Sequence, residues 1–256
     1  MNPEPSTIPF PPLSLRPYVG PLNDHSYDNP TGAPLFPDLP LEAYDSVFDF
    51  GCGCGRLARQ LLQMHSRPRS YVGVDLNAKL IAWCKEALAP CDSGFRFHHQ
   101  NVYSAGFNPG GRDRSAAFPV ADSSVSLLLA WSVFTHVLED QAEFYLREVV
   151  RVLRPGGILL STWFLFDKTE YPMMQDFQNA LFINDSDPSN AVIFDRTWLE
   201  VRMRELGLSF LKIKPPEIRG FQWQIWMTPS RPGLAEVEFP FDHAPKGRKP
   251  PPMIPA

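Results

Sequence analysis

Two hydrophobic periods alternate along the 256-residue chain. Val47-Phe48-Asp49-Phe50, Tyr71-Val72-Gly73-Val74, Phe95-Arg96-Phe97, Val125 to Trp131 and Ile158 to Phe166 run apolar or alternate with a period of two, which predicts strands. Between them, apolar residues recur at helical spacing. Leu57, Leu61 and Met64 predict a helix over 55–65, and Leu80, Ile81, Cys84 and Leu88 one over 78–88. Phe144, Leu146, Val149, Val150 and Leu153 predict a third over 141–153, with Asp140 as its expected N-cap. Arg154-Pro155-Gly156-Gly157 stops that helix, because proline cannot continue it and glycine takes the conformation past its end. A fourth helix is expected over 197–206, closed by Gly207. Leu208 to Ile213 and Phe221 to Met227 both alternate and are expected to pair as an antiparallel hairpin at one sheet edge. Strands alternating with helices predict an α/β fold, a doubly wound seven-stranded sheet that is mostly parallel with an antiparallel edge strand.

The alternation breaks in three places. Residues 1–40 carry eleven of the 28 prolines, and ten more follow residue 214. Proline fixes φ and removes a donor, so both ends are expected to be extended or turn-rich. The chain therefore divides into a Pro-rich N-terminal arm (1–40), a domain (41–228) and a Pro-rich C-terminal tail (229–256) with basic residues at Lys246, Arg248 and Lys249. The arm holds too many aromatic and aliphatic groups for a simple disordered leader, so packing on the domain competes with disorder as its reading. Within the domain, 167–196 fits no strand–helix unit and reads as an inserted cap.

A net charge of −4 and a pI near 5.9 lack the basic face of a nucleic-acid binder. No apolar run approaches the ~18 residues of a membrane span, and Met1 to Pro5 have no basic or apolar signal region. The expected location is the cytoplasm. Cys52, Cys54, Cys84 and Cys91 lack metal-site spacing, so no metal is expected.

The chemistry gathers at Asp49-Phe50-Gly51-Cys52-Gly53-Cys54-Gly55. A strand feeding three alternate glycines and then a helix lets a ligand lie against bare backbone, with the N–H groups of the helix start expected to face it. A dinucleotide turn requires glycine at the sixth position from Gly51, where this chain has Arg56. Asp49 before the turn suits a cationic group such as an ammonium. Asp75, at the end of the second strand, suits a ribose diol, and Asn101, after the third, a base edge. Ammonium, ribose and base without phosphate describe S-adenosylmethionine.

These segments resemble the class I S-adenosylmethionine-dependent methyltransferases. Asp49 to Gly55 is similar to their first motif, Asp75 stands at their ribose-binding acid, and Asn101-Val102 at their adenine-side position. Arg151-Val152-Leu153-Arg154-Pro155-Gly156-Gly157 is similar to their "RVLxPGG" segment. Ser132-Val133-Phe134-Thr135-His136-Val137 resembles an "SVFTHL" stretch in bacterial small-molecule and glycan-associated members. Ser126 departs from the pattern, since the family often has an acid inside that strand. The resemblance implies a Rossmann-like sheet and cofactor contacts from Asp49, Gly51, Cys52, Gly53, Gly55, Asp75, Leu76, Asn101, Val102 and Trp131. It implies an acceptor pocket near Tyr18, Phe134, His136 and Tyr171. The acceptor is expected to be an oxygen, less so a nitrogen, of a small molecule or glycan, with no nucleic-acid or membrane partner. His136 has two readings: a general base for an acceptor hydroxyl, or a loop holder bonded to backbone. The second is preferred, because alkyl transfer from a sulfonium can run on positioning alone. A non-catalytic cofactor-binding module and a nucleotide-dependent oxidoreductase remain as alternatives.

Overall fold

A computed structural model describes residues 8–240 other than 172, 217, 220 and 236, together with 247 and 248. The basic tail residues Lys246 and Lys249 lie outside the described residues. The strands are β1 (Ser46–Phe50), β2 (Ser70–Asp75), β3 (Phe95–His99), β4 (Val125–Ala130), β5 (Leu153–Phe166), β6 (Ala180–Phe182), β7 (Val192–Asp195), β8 (Leu208–Lys214) and β9 (Trp223–Pro229). The helices are α1 (Arg56–Gln63), α2 (Ala78–Trp83), α3 (Glu139–Val152) and α4 (Arg196–Glu205), and a wide π-type turn continues α2 through Cys84–Leu88.

The main sheet runs β3-β2-β1-β4-β5-β9-β8. Strands β3 to β5 are parallel, and β9 is antiparallel to both of its neighbours. The expected antiparallel pairing at one edge is there, with the last strand slotted one position inside it. The winding reverses between β1 and β4, and crevices at such a switch point open beyond the carboxyl ends of the strands.

Alternation along the strands feeds two apolar layers. Phe48, Phe50, Leu128 and Ala130 face the α3–α4 side, whereas Val47, Leu127 and Leu129 face α1 and α2. Ser126 explains its departure from the acid expected there: its hydroxyl accepts the Ser46 N–H (2.7 Å) and has the carbonyls of Ala43 (2.8 Å) and Ser46 (2.9 Å) in reach of its one proton, pinning the entry to β1. Helix α3 starts two residues earlier than expected. Its N-cap is Leu138, whose N–H reaches the Gln141 side chain at 3.0 Å, while Asp140 pairs with Arg114.

The N-terminal arm packs on the domain. Arg59 of α1 is buried and donates to the carbonyls of Ile8 (3.1 Å) and Tyr27 (2.9 Å), lies 3.5 Å from the Phe10 ring centroid, and pairs with Asp28 at 2.7 Å. Arg16, also buried, ties the Pro11 and Leu22 carbonyls together, closing a loop that carries residues 17–20 across the mouth of the switch-point crevice. The cap is an extension of the sheet: β7 pairs parallel with Phe164–Phe166 and β6 pairs antiparallel with β7. Part of the tail returns to the core, where Phe239 is buried against Phe210 and Trp223.

Candidate active site

A cavity of about 370 Å³ opens beyond β1, β2 and β4, under residues 17–20 of the arm. That volume lies within the ~300–1,000 Å³ typical of small-molecule sites.

The glycine turn forms its floor. Gly51, Gly53 and Gly55 have φ of 81°, 57° and 75°, the left-handed region that costs other residues about 1–2 kcal/mol. Space is equally restrictive. A Cβ at Gly51 would overlap Val133 Cγ2, and one at Gly53 would sit 2.7 Å from Val19 Cγ2. Four of the turn's N–H groups are already committed. Those of Gly51 and Cys52 both donate to the Val74 carbonyl at 2.9 Å, that of Gly53 to Asp75 Oδ2 at 2.9 Å, and that of Gly55 to the Cys52 carbonyl at 3.0 Å. A pyrophosphate would find these four donors already spent. Gly51→Ala is expected to weaken binding of S-adenosylhomocysteine about tenfold by calorimetry. Val133→Ala added to it restores only part of the loss, because the φ penalty stays.

Two buried acids flank the turn. Asp49 lies at the end of β1, and its Oδ2 accepts the Tyr71 hydroxyl at 2.7 Å. Burial pushes its carboxyl up to about 7, against the lowering effects of that hydrogen bond and of Arg56. Asp75 accepts N–H bonds from Gly53 and Asn77, at 2.9 and 2.8 Å, and burial raises it too. A carboxylate has about four lone-pair directions, so Asp75 keeps capacity for hydroxyl donors. The Cys52 and Cys54 thiols are buried and free, and burial raises both above the ordinary thiol range.

Asp49, Gly51, Cys52, Gly53, Asp75, Leu76, Val102, Trp131, Tyr18 and His136 all line this cavity. Gly55 stands behind it, where its missing Cβ makes room for Leu88. Three expected residues are elsewhere. Asn101 is exposed, and its carbonyl accepts the Arg112 and Asp113 N–H groups. Its neighbour Gln100 lines the cavity instead, with Nε2 on the Ala117 carbonyl (3.1 Å) and Oε1 buried without a partner. Phe134 is fully buried and stacks on Trp163 with centroids 4.2 Å apart, so Val133 takes the wall position. Tyr171 packs on Phe166 and lines a separate surface cavity between the cap and α4.

His136 faces the cavity from the loop after β4. Its Nδ1 lies 3.1 Å from the Ser189 carbonyl oxygen in the cap, and its ring meets Phe107 edge-on at 5.3 Å. A carbonyl can only accept, so the neutral ring keeps its proton on Nδ1 and its lone pair on Nε2. Nearby, Ser132 has φ 59° and bonds Gln222 from the β8–β9 loop, a wall residue that sequence reasoning missed. Among the described residues no group of three or more His, Cys, Asp and Glu side chains is arranged to hold a metal ion. No helix among them is long and apolar enough to cross a membrane.

The residues fit an S-adenosylmethionine-sized ligand: a bare-backbone cradle, a buried acid able to meet a cation, and an unpartnered acceptor at Gln100. The sheet order is that of a Rossmann-like methyltransferase fold, and the cofactor that this fold implies is S-adenosylmethionine. Residues 47–157 match the model of the methyltransferase-domain family. A fatty-acid O-methyltransferase of Mycolicibacterium smegmatis is 31% identical over 116 residues, which are 45% of this chain and 36% of that protein. The chain thus spans about a third of the length of that curated relative. Two solved structures share the fold. A putative S-adenosylmethionine-dependent methyltransferase from Listeria monocytogenes has a TM-score of 0.53 at 12% identity, covering 75% of this chain and 94% of its own. An O-methyltransferase family protein from Burkholderia thailandensis has a TM-score of 0.50 at 14% identity, covering 75% and 53%.

Proposed function

We propose that the protein transfers a methyl group from S-adenosylmethionine to an oxygen of a small-molecule acceptor. The observation that carries this reading is the placement of a buried acid, Asp49, and a tautomer-fixed histidine, His136, on one cavity. In this reading Asp49 meets the cofactor ammonium, Asp75 the ribose hydroxyls, and Gln100 with Val102 the adenine. When bound, the cofactor supplies an electrophilic methyl group. The chain's own task is to align the acceptor oxygen with it, exclude water under residues 17–20, and take the hydroxyl proton at His136 Nε2. Oxygen is preferred to nitrogen because a hydroxyl gains most from a neighbouring base. The name of the mycobacterial relative specifies a fatty acid, so carboxylic acids belong in the acceptor panel beside alcohols, phenols and sugars.

Calorimetric titration with S-adenosylhomocysteine and with NADH tests the cofactor half, and turnover of S-adenosylmethionine to S-adenosylhomocysteine over that panel tests the reaction. Micromolar binding of S-adenosylhomocysteine, no binding of NADH, and acceptor-dependent turnover are expected. NADH binding alone revives an oxidoreductase. Cofactor binding without turnover on any acceptor leaves a non-catalytic module.

A further inference from the structure

Resting on the methyl-transfer reading, the geometry points to an acceptor that is uncharged, has an apolar body, and presents a single hydroxyl group. Two properties of the wall around His136 lead there: its chemistry and the state of its polar groups.

The carboxylates and guanidinium that line the cavity are Asp49, Asp75 and Arg56. All three belong to the glycine-turn end, at the ends of β1 and β2 and the first residue of α1. The apolar surface near His136 comes from Phe107, Val133, Val137 and Tyr145. A desolvated carboxylate or phosphate there would have no cationic partner, and an ion buried unpaired costs several kcal/mol. Arg114, on an adjoining loop, turns its guanidinium to Asp140.

Four neutral polar side chains of this cavity, Gln141, Gln222, Ser132 and Ser104, already have partners. Gln141 accepts the Leu138 N–H at 3.0 Å and donates to the Arg114 carbonyl at 2.6 Å. Gln222 and Ser132 bond each other at 3.0 Å, and the Ser132 N–H reaches Thr162 Oγ1 at 2.7 Å. Ser104 Oγ accepts the Phe107 N–H at 3.3 Å. His136 Nδ1 is held by the Ser189 carbonyl, which leaves Nε2 as an acceptor with no partner among the described residues. A sugar would lose water from several hydroxyls and find few replacements, and each group left unpaired weakens binding. A phenol or comparable apolar alcohol gives up one hydroxyl's hydration and regains it at Nε2.

The test uses the protein saturated with S-adenosylhomocysteine and three probes measured by calorimetry at pH 7.5: 1-naphthol, its anionic counterpart 1-naphthoate, and methyl glucoside. The expected result is 1-naphthol binding at least tenfold more tightly than either other probe. Equal or reversed preference, or no binding of 1-naphthol, overturns the acceptor class while leaving the cofactor reading intact. Failure of S-adenosylhomocysteine itself to bind overturns both.

Discussion

Asp49→Asn is expected to weaken binding of S-adenosylhomocysteine about 100-fold at pH 8 and, in the same step, to raise the melting temperature of the ligand-free protein. Both effects follow from one cost. The Asp49 carboxyl is buried, receives one hydrogen bond from Tyr71, and is pushed from 3.8 up to about 7. That displacement corresponds to roughly 4 kcal/mol against the charged form. Asparagine keeps the Tyr71 hydrogen bond and has no charge to desolvate. A group whose folded pKa is raised contributes its full stability below the unfolded value and loses it as the pH rises through the folded one. The ligand-free wild type should therefore fall behind the variant between about pH 4 and 7, with the gap widest above 7 and closed below 4. Each kcal/mol corresponds to about 2–4 °C at this chain length.

Binding runs the other way. A ligand ammonium favours the ionised acid, so wild-type affinity should rise with pH toward about 7 and level off above it. The Asp49→Asn variant should lack that rise. A loss under tenfold, or an unchanged pH profile, would show that the ammonium sits elsewhere. The acid is then an example of a functional group held at the expense of stability.

The parts of this site that were legible in the sequence are those fixed by local backbone chemistry. Asp49, the three glycines and Asp75 follow from strand ends and from a turn that only glycine can make, and β1 to β3 each contain the run that their patterns predict, extended by one or two residues. The illegible parts are those set by a change of direction after a strand or by contacts between distant segments. Phe134 read as a wall residue from the family resemblance of the segment that follows β4. Ser132 at φ 59° turns the chain, so Val133 meets the cavity and Phe134 goes into the core. At the end of β3 the Gln100 N–H still bonds the Asp75 carbonyl, which keeps the chain extended for one more residue. That brings Gln100 to the cavity and turns Asn101 outward. Gln222 reaches Ser132 across 90 residues, and no local pattern carries such a pairing. The placement of β9 inside the sheet edge is likewise a choice between two strands that alternate equally well.

His136→Asn should lower kcat on a phenolic acceptor by at least 100-fold while leaving S-adenosylhomocysteine affinity within twofold of wild type. The variant is chosen to separate the two readings of this histidine. An asparagine amide nitrogen can occupy the place of Nδ1 and donate to the Ser189 carbonyl, which sits 3.1 Å from Nδ1. The loop–cap connection is then kept, and the Val192 N–H to Thr135 carbonyl bond at 2.9 Å continues to hold the cap beside it. The lone pair at Nε2 is lost. If His136 serves only as a tether, the asparagine variant should work nearly as well as the wild type and His136→Ala should be the damaging change, chiefly through KM as the cap loosens. If it takes the acceptor proton, His136→Asn and His136→Ala should be equally slow, with the defect in kcat. General bases contribute about 10²–10⁴-fold. The lower end applies here, because transfer from a sulfonium retains the share of rate that comes from alignment alone. The Ser189 contact is the backbone bond that the tether reading expects, and it also commits Nδ1 as the donor and leaves Nε2 unprotonated in the neutral ring, the form a base requires, so the pair of variants decides between the two.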